Sequence, residues 1–193
     1  MRNYQRPLSL NFRLIGAAQE FYENAGYKPI AVPWVIDEDY VAETKPEGVE
    51  FYSTLGGVLV ASAEQSFIQM LDRGWDEPGS YQATTPCFRD EDHDNLHSPY
   101  FMKTELFDNE NVTVARLHEM IGTALTFFNS MSPGLAKMED MGDGTFDIVG
   151  VKTGLELGSY GIRERKNFSW IYGTGIALPR FEQVETKEKE NHE

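Results

Sequence analysis

Two β-rich segments, 81–89 and 100–107, are separated by the polar stretch DEDHDNLHS, and this pattern constrains the fold more than any other feature. Segments rich in β-branched and aromatic residues on either side of a polar loop predict a long antiparallel hairpin. A shorter hairpin is predicted for 146–151 and 155–157, across a Lys-Thr-Gly turn. An antiparallel sheet is therefore the expected scaffold.

Two long segments have the apolar spacing of helices that would cover this sheet. In 10–25 and in 113–129, apolar side chains recur at helical intervals, and Gly26 supplies a stop signal after the first. Ser62 is placed to cap a third helix over 63–73. We therefore predict an α+β fold, an antiparallel β-sheet flanked by helices.

The 193 residues suit a single domain, which we assign to 1–181, followed by a charged tail, 182–193, that we expect to be frayed. An apolar fraction of 40% is that of a globular chain. The single cysteine, Cys87, precludes an intramolecular disulfide and favours a reducing compartment, so we expect a cytoplasmic protein. No run of 18 apolar residues indicates a membrane segment.

The formal net charge of −14 repels phosphate backbones and anionic lipid over the whole surface. Broad nucleic-acid binding is therefore disfavoured. ATP binding remains compatible with this charge, because a few arginines and Mg²⁺ in one cleft outweigh dispersed surface charge at short range.

The longer predicted hairpin contains CFRDE, at 87–91, before its loop and PYFMKTE, at 99–105, after it. Antiparallel pairing places Arg89, Glu91 and Phe101 together, which supplies a cation, a hydrogen-bond acceptor and an aromatic face. The segment resembles motif 2 of class II aminoacyl-tRNA synthetases. The resemblance implies that Arg89 holds the α-phosphate of ATP, Glu91 accepts from the adenine amino group and Phe101 stacks on the base.

The loop of this hairpin contains His93 and His97, at positions where the family often contacts the terminal phosphates and the acceptor end. The resemblance makes His97 a candidate ATP ligand. A zinc site is less consistent with the sequence, because the four histidines have no set of cysteine partners. A solvated charge cluster at a strand end is the alternative interpretation of Phe-Arg-Asp-Glu.

Two further segments occur in the family's order. GYKPIAVPWV, at 26–35, resembles motif 1, a helix and strand that form the family's dimer interface, which implies a homodimer with Pro33 and Trp34 near its two-fold axis. YGTGIALPRF, at 172–181, resembles motif 3 and implies that Arg180 clamps the γ-phosphate. Proline precedes Arg180 where an acidic residue is common, and a glycine-rich turn before an exposed arginine is the alternative.

The sequences FDIV, at 146–149, and ELGSYGIR, at 156–163, resemble strands of the aspartyl, asparaginyl and lysyl subgroup, and most closely its aspartyl and asparaginyl members and the related asparagine synthetases. Across the short hairpin, Asp147 and Glu156 could share Mg²⁺, an ion that prefers oxygen ligands. Arg163 matches an arginine that contacts a substrate carboxylate, which implies an aspartate-like or asparagine-like substrate. A surface pair of Arg163 with Glu164 is the alternative.

Before the longer hairpin, Ser62-Ala63-Glu64 resembles a short Ser/Thr-x-Glu loop that binds the substrate ammonium in several class II enzymes. Ser62, Glu64 and Glu105 are therefore candidate substrate contacts. Helix capping is the alternative role for Ser62 and Glu64.

The function that these features imply is ATP-dependent activation of an amino acid by a free-standing ligase, with Arg89 and Arg180 as catalytic residues and ATP and Mg²⁺ as cofactors. The first alternative is aminoacylation of a tRNA or tRNA-like end, which the net charge and the lack of a recognisable anticodon-binding domain disfavour. The second is a catalytically silent relative with a binding or regulatory role.

Overall fold

The computed structural model describes residues 10–44, 51–89 and 98–190, apart from the side chain of residue 43. The helices within these ranges are α1 (Phe12–Asn24), α2 (Glu38–Thr44), α3 (Ala63–Asp72), α4 (Val114–Met131) and α5 (Arg180–Glu190). The strands are β1 (Lys28–Pro29), β2 (Val35–Ile36), β3 (Ser53–Thr54), β4 (Gly57–Leu59), β5 (Ser80–Phe88), β6 (Tyr100–Asp108), β7 (Ala136–Asp140), β8 (Phe146–Gly150), β9 (Glu156–Arg165) and β10 (Phe168–Leu178).

Seven strands form the main sheet, in the order β1-β5-β6-β10-β9-β8-β7. Its neighbouring strands are antiparallel except for β1, which runs parallel to β5 at one edge. A small three-stranded sheet has the order β2-β4-β3. The predicted α+β class, an antiparallel sheet flanked by helices, is confirmed.

Both predicted hairpins are present. β5 pairs with β6 so that Cys87 lies opposite Phe101 and Thr85 opposite Lys103. β8 pairs with β9, and Asp147 lies opposite Ser159. The glycine-containing segment after the second hairpin continues the sheet as β10, which lies between β6 and β9. The strands that contain Phe101, Glu105, Asp147, Glu156 and Arg163 therefore belong to one sheet.

The two faces of the sheet pack against different helices, as alternating side chains require. Leu106 of β6 and Ile171 of β10 belong to the large core formed with α1 and α4. Phe107 follows Leu106 on β6, and Trp170 precedes Ile171 on β10. Both belong to a second core under α3. Phe67 of α3 stacks on Phe107 with ring centroids 4.3 Å apart. Helix α3 thus shares its face of the sheet with the candidate site.

The expectation of a frayed tail from residue 182 is wrong for residues 182–190, which continue α5. Phe181 and Val184 are buried in the large core. The carboxylate of Glu188 is buried as well and accepts hydrogen bonds from the backbone N–H of Thr153, at 2.7 Å, and from its hydroxyl, at 2.6 Å. Helix α5 is therefore hydrogen-bonded, through Glu188, to the turn between β8 and β9.

The segment 27–36 is divided between two sheets. Lys28 and Pro29 pair with the edge of β5, whereas Val35 and Ile36 pair with β4. The carbonyl of Pro33 accepts a 2.6 Å hydrogen bond from the Ser66 hydroxyl, which ties the segment to α3. None of the helices in the described ranges combines the length and apolar character needed to cross a membrane.

The glycines of β10 provide a test of this packing. A Cβ atom at Gly173 would lie 2.5 Å from Cδ1 of the buried Tyr160 and 2.8 Å from Sδ of Met120. We expect Gly173→Ala to lower the free energy of unfolding by about 1–3 kcal/mol through overpacking, measured by urea denaturation. Gly122→Ala, on the exposed side of α4 with no atom within 4 Å, should raise it by about 1 kcal/mol. Equal effects of the two substitutions would contradict this packing.

Candidate active site

A cavity of about 290 Å³ opens on the face of the sheet that α3 partly covers. Its walls come from the start of α3, from β6, β9 and β10, and from the start of α5. The residues predicted from the sequence that line it are Ser62, Glu64, Arg89, Phe101, Glu105, Glu156, Arg163 and Arg180. Glu91, His93 and His97 lie outside the described residues. Asp147 is described but does not line the cavity.

Strand β6 forms the floor of the cavity because every second side chain points to this face. Phe101, Lys103 and Glu105 all line the cavity in this alternation. An aromatic ring, an ammonium group and a carboxylate therefore follow one another along the strand at intervals of roughly 7 Å.

One end of the cavity combines an aromatic ring with arginines. The guanidinium carbon of Arg89 lies 5.0 Å from the centroid of the Phe101 ring. The Nε atom of Arg89 is buried and has no hydrogen-bond partner among the described residues. A buried donor without a partner is costly, so this atom is suited to an anionic or carbonyl ligand. Arg180 reaches the same cavity from the first residue of α5, where the helix dipole also favours anions.

The other end holds a buried carboxylate with two donors. Glu64, only 4% exposed, accepts a 2.6 Å hydrogen bond from Nη1 of Arg163 and a 2.7 Å bond from Nε1 of Trp170. The Arg163 guanidinium lies over the Tyr172 ring at 4.1 Å. Burial raises the pKa of Glu64 above its ordinary value, and the charge of Arg163 opposes that rise. Arg163 thus pairs with Glu64 across the fold, not in the surface pair with Glu164 that was the alternative.

Glu105 is the second buried carboxylate of the cavity. Its Oε2 atom accepts a 2.6 Å hydrogen bond from the Ser62 hydroxyl and forms an ion pair with the ammonium group of Lys103. Ser62 also accepts a 3.2 Å hydrogen bond from the backbone N–H of Glu64, so it caps α3 while contacting Glu105. Both interpretations of Ser62, capping residue and cavity residue, therefore hold in the structure.

Sequence reasoning missed Lys103, whose side chain is 10% exposed. The signal that would have found it is its position, midway between the two predicted site residues Phe101 and Glu105 on one strand. Residues i and i+4 of a strand share a face, so residue i+2 shares it as well.

The two acidic residues predicted to bind Mg²⁺ are neighbours but differ in access. Glu156 lines the cavity, whereas Asp147 stands beside it, opposite the cavity residue Ser159 in the strand register. Burial raises the pKa of Asp147, and the nearby charge of Glu156 raises it further. Within the described ranges, no group of three or more acidic, histidine or cysteine side chains is placed to hold a metal by itself. Two carboxylates still suit Mg²⁺, which takes its other ligands from phosphate and water.

The Glu64–Arg163 pair provides a test of the cavity electrostatics. We expect Arg163→Leu to lower the free energy of unfolding by about 1–3 kcal/mol, because it leaves the buried Glu64 carboxylate without its cation. Adding Glu64→Gln should recover part of that loss, since no buried charge then remains. Arg73→Leu, which breaks an exposed pair with Asp37, should cost less than about 1 kcal/mol. Urea denaturation measures all three variants, and a double variant less stable than Arg163→Leu would contradict the pairing.

No protein-family model and no curated protein sequence matches the chain. Solved structures do match it in fold. A pyrrolysyl-tRNA synthetase, PylSc of Desulfitobacterium hafniense, superposes with a TM-score of 0.72 and 16% identity over 91% of this chain and 69% of that chain. The cytoplasmic serine-tRNA ligase of Naegleria fowleri, in complex with AMP, gives a TM-score of 0.65 and 16% identity over 88% and 51% of the two chains.

The seryl-tRNA synthetase of Pyrococcus horikoshii, complexed with ATP, gives a TM-score of 0.63 and 18% identity. The match covers 89% of this chain and 48% of that one, so this chain spans about half the length of the seryl enzymes. At these identities the likeness concerns the fold. The chain has the fold of the class II aminoacyl-tRNA synthetase catalytic core.

Proposed function

We propose that the chain binds ATP and activates the carboxylate of an amino acid as an acyl-adenylate. The observation that carries this proposal is the meeting of Arg89, with its buried and unpartnered Nε, the Phe101 ring and Arg180 in one cavity. An aromatic face beside a guanidinium suits a base joined to its nearest phosphate. Two seryl enzymes of the same fold are described in complex with AMP and with ATP, which supports the proposal that the ligand here is a nucleotide.

The reaction that fits these groups needs charge and alignment more than proton transfer. An oxygen of the substrate carboxylate attacks the α-phosphorus, the bond from that phosphorus to the bridging oxygen breaks, and pyrophosphate leaves with the electron pair. No proton has to move. Both reactants are anions, so the cavity must offset their repulsion and hold them in line. Arg89 is proposed to act at the α-phosphate and Arg180 at the γ-phosphate.

Mg²⁺ belongs to this proposal through Glu156 and Asp147. Glu156 faces the cavity, and burial, together with the nearby charge of Glu156, raises the pKa of Asp147. Carboxylates that repel each other in this way are favourable ligands for a divalent cation. Bound there, Mg²⁺ would supply positive charge to the phosphates of ATP.

The acyl end of the cavity supports an amino acid as the substrate. Ser62, Glu64 and Glu105 are proposed to contact its ammonium group, with the hydroxyl of Ser62 orienting Glu105. Arg163 is proposed to contact the substrate side chain, which keeps an aspartate-like or asparagine-like substrate as the leading candidate. The buried, unpaired Cys87 suits a reducing compartment, so the cytoplasm is the proposed site of action.

A second candidate function is transfer of the activated amino acid to a tRNA or a tRNA-like end. The observation that favours it is the fold, because the matching structures are tRNA synthetases by name. An amine, ammonia or a carrier protein is the alternative acceptor for a free-standing ligase. Incubating the enzyme with a radiolabelled amino acid, ATP and total tRNA separates them, since only the second function yields label in acid-precipitable RNA.

Arg89 provides the decisive test of the proposed function. We expect the unmodified protein to support ATP–pyrophosphate exchange with at least one of the twenty amino acids. Arg89→Ala should reduce that exchange about 100-fold or more, because one lost stabilising group at the reacting phosphate has an effect of that order. The matched control is Arg73→Ala, which removes an exposed arginine at the C-terminal end of α3 and should leave exchange unchanged.

Calorimetric titration with ATP should accompany the exchange assay. Binding without exchange under any amino acid would favour the silent relative over the enzyme. The absence of both binding and exchange would refute the proposed function.

We also propose a homodimer formed through the segment around Pro33 and Trp34. Trp34 is 53% exposed and the adjacent Val35 is 39% exposed, so two neighbouring apolar side chains of this segment face the solvent. We expect sedimentation velocity at micromolar concentration to give the mass of a dimer, and Trp34→Glu to shift it toward the monomer. A monomeric unmodified protein would contradict this proposal.

A further inference from the structure

Among the described cationic residues that line the cavity, Lys103 is the one that the proposed mechanism has not used. It lies on β6 between Phe101, at the proposed nucleotide end, and Glu105, at the proposed amino-acid end. With a strand rise of about 3.3 Å per residue, its Cα is roughly 7 Å from each of theirs. The place between a nucleotide and an amino acid is where the acyl–phosphate bond must form.

The ammonium group of Lys103 is engaged by Glu105 in the structure. Among the described residues, Ser62 and Lys103 are the contacts of the Glu105 carboxylate, and both reach the same oxygen, Oε2. Neither of these contacts uses the other carboxylate oxygen, Oε1. The pair is nearly excluded from water, so each charge depends on the other for compensation.

A zwitterionic α-amino acid has the groups needed to open this pair. Its ammonium can replace the Lys103 ammonium beside Glu105, and its carboxylate, one carbon away, then lies next to the displaced Lys103. Four charges of alternating sign result, and none is left buried without a partner. An acid without the amino group offers nothing to Glu105, so it leaves Lys103 paired there.

We propose that Lys103 is a catalytic residue that the substrate recruits. The amino group of an α-amino acid takes the place of Lys103 beside Glu105, and the freed Lys103 then holds the substrate carboxylate against the α-phosphate of ATP. This inference rests on the proposed function and adds to it. Lys103 keeps its protons throughout. The carboxylate oxygen forms the bond to phosphorus, pyrophosphate leaves with the electron pair, and Lys103 offsets the negative charge where the two anions meet.

This arrangement joins recognition to catalysis. The amino group contributes to binding at Glu105 and also releases the cation that the reaction needs. Discrimination against acids that lack the amino group should therefore appear in kcat as well as in KM, because it acts on a group that stabilises the transition state.

The first test replaces Lys103 and measures ATP–pyrophosphate exchange with the amino acid that the unmodified protein activates. Lys103→Gln keeps hydrogen-bond donors but removes the charge, and should lower kcat about 100-fold or more while leaving the Kd for ATP within about twofold. Lys103→Arg should restore part of the rate. The matched control is Lys137→Gln on β7, where Lys137 likewise pairs with the glutamate two residues later, Glu139, but at an exposed site. It should exchange at the unmodified rate.

The second test asks whether Glu105 restrains Lys103. The substrate is the same acid without its α-amino group, which the unmodified protein should activate very slowly. Glu105→Gln frees Lys103, so exchange with this des-amino acid should rise about tenfold above the unmodified rate, although exchange with the amino acid falls. In the double variant Lys103→Gln/Glu105→Gln that rise should disappear. A structural role for the pair would predict no gain for the des-amino acid in either variant.

The outcomes separate this inference from the function on which it rests. Exchange by the unmodified protein together with unchanged kcat in Lys103→Gln overturns the role of Lys103 and leaves the proposed function intact. A rise with the des-amino acid that persists in the double variant overturns the recruitment by Glu105. No exchange by the unmodified protein with any amino acid overturns both. The double variant buries no unpaired charge, so circular dichroism and ATP binding on it guard against loss of folding as the cause.

Discussion

The position of β6 between β5 and β10 is the constraint on which the rest of the structure depends. Leu106 and Met102 pack in the core formed with α1 and α4, whereas Phe101, Lys103 and Glu105, on the opposite face, line the cavity. A shift of the pairing by one residue would exchange the two sets and put Lys103 and Glu105 into the apolar core. Burial of the apolar side chains of β6 therefore fixes the register, and the register places Lys103 and Glu105 in the cavity. Apolar packing on one face of β6 therefore holds the strand in the register that places charged side chains on the other face.

Paired charges characterise that other face. Glu64 and Glu105 are both nearly inaccessible to water, and each has its own cation, Arg163 and Lys103. A buried ion pair contributes little net stability, because desolvation cancels most of the attraction, but removing one partner is expensive. For the same reason a ligand can replace one member of such a pair. If the ligand carries the matching charge, the remaining member still has a partner and is not left as an isolated buried charge. The pairs thus account for buried charges in a folded cavity, and their alternating signs match those of the proposed zwitterionic substrate.

Much of this arrangement could be predicted from the sequence, because the relevant signals are local. The two hairpins followed from β-rich segments around polar turns, and eight of the residues that line the cavity followed from short motifs that resemble those of class II synthetases. Contacts between distant segments were not predictable in this way. Arg163 and Glu64 are 99 residues apart, and only the closed sheet shows that they pair. Helix α5 was mistaken for a charged tail, because its apolar face consists of only Phe181 and Val184 and its third buried position is a glutamate. Glu188 is buried there since the turn at Thr153 supplies its hydrogen bonds, a partner that no local pattern indicates.

Charge distribution shows why the overall composition says little about a site of this kind. The chain carries a formal net charge of −14, yet four cationic and three anionic side chains are among the described residues that line the cavity. Two of those anions, Glu64 and Glu105, already compensate Arg163 and Lys103. The charged residues at the proposed phosphate end, among those that the structure describes, are Arg89, Arg180 and Glu156. Interactions between charges a few ångströms apart in a partly dry cavity exceed those with exposed carboxylates beyond about 10 Å, which salt screens. An acidic surface is thus compatible with an anionic ligand inside, and it disfavours only ligands that must lie along the surface itself.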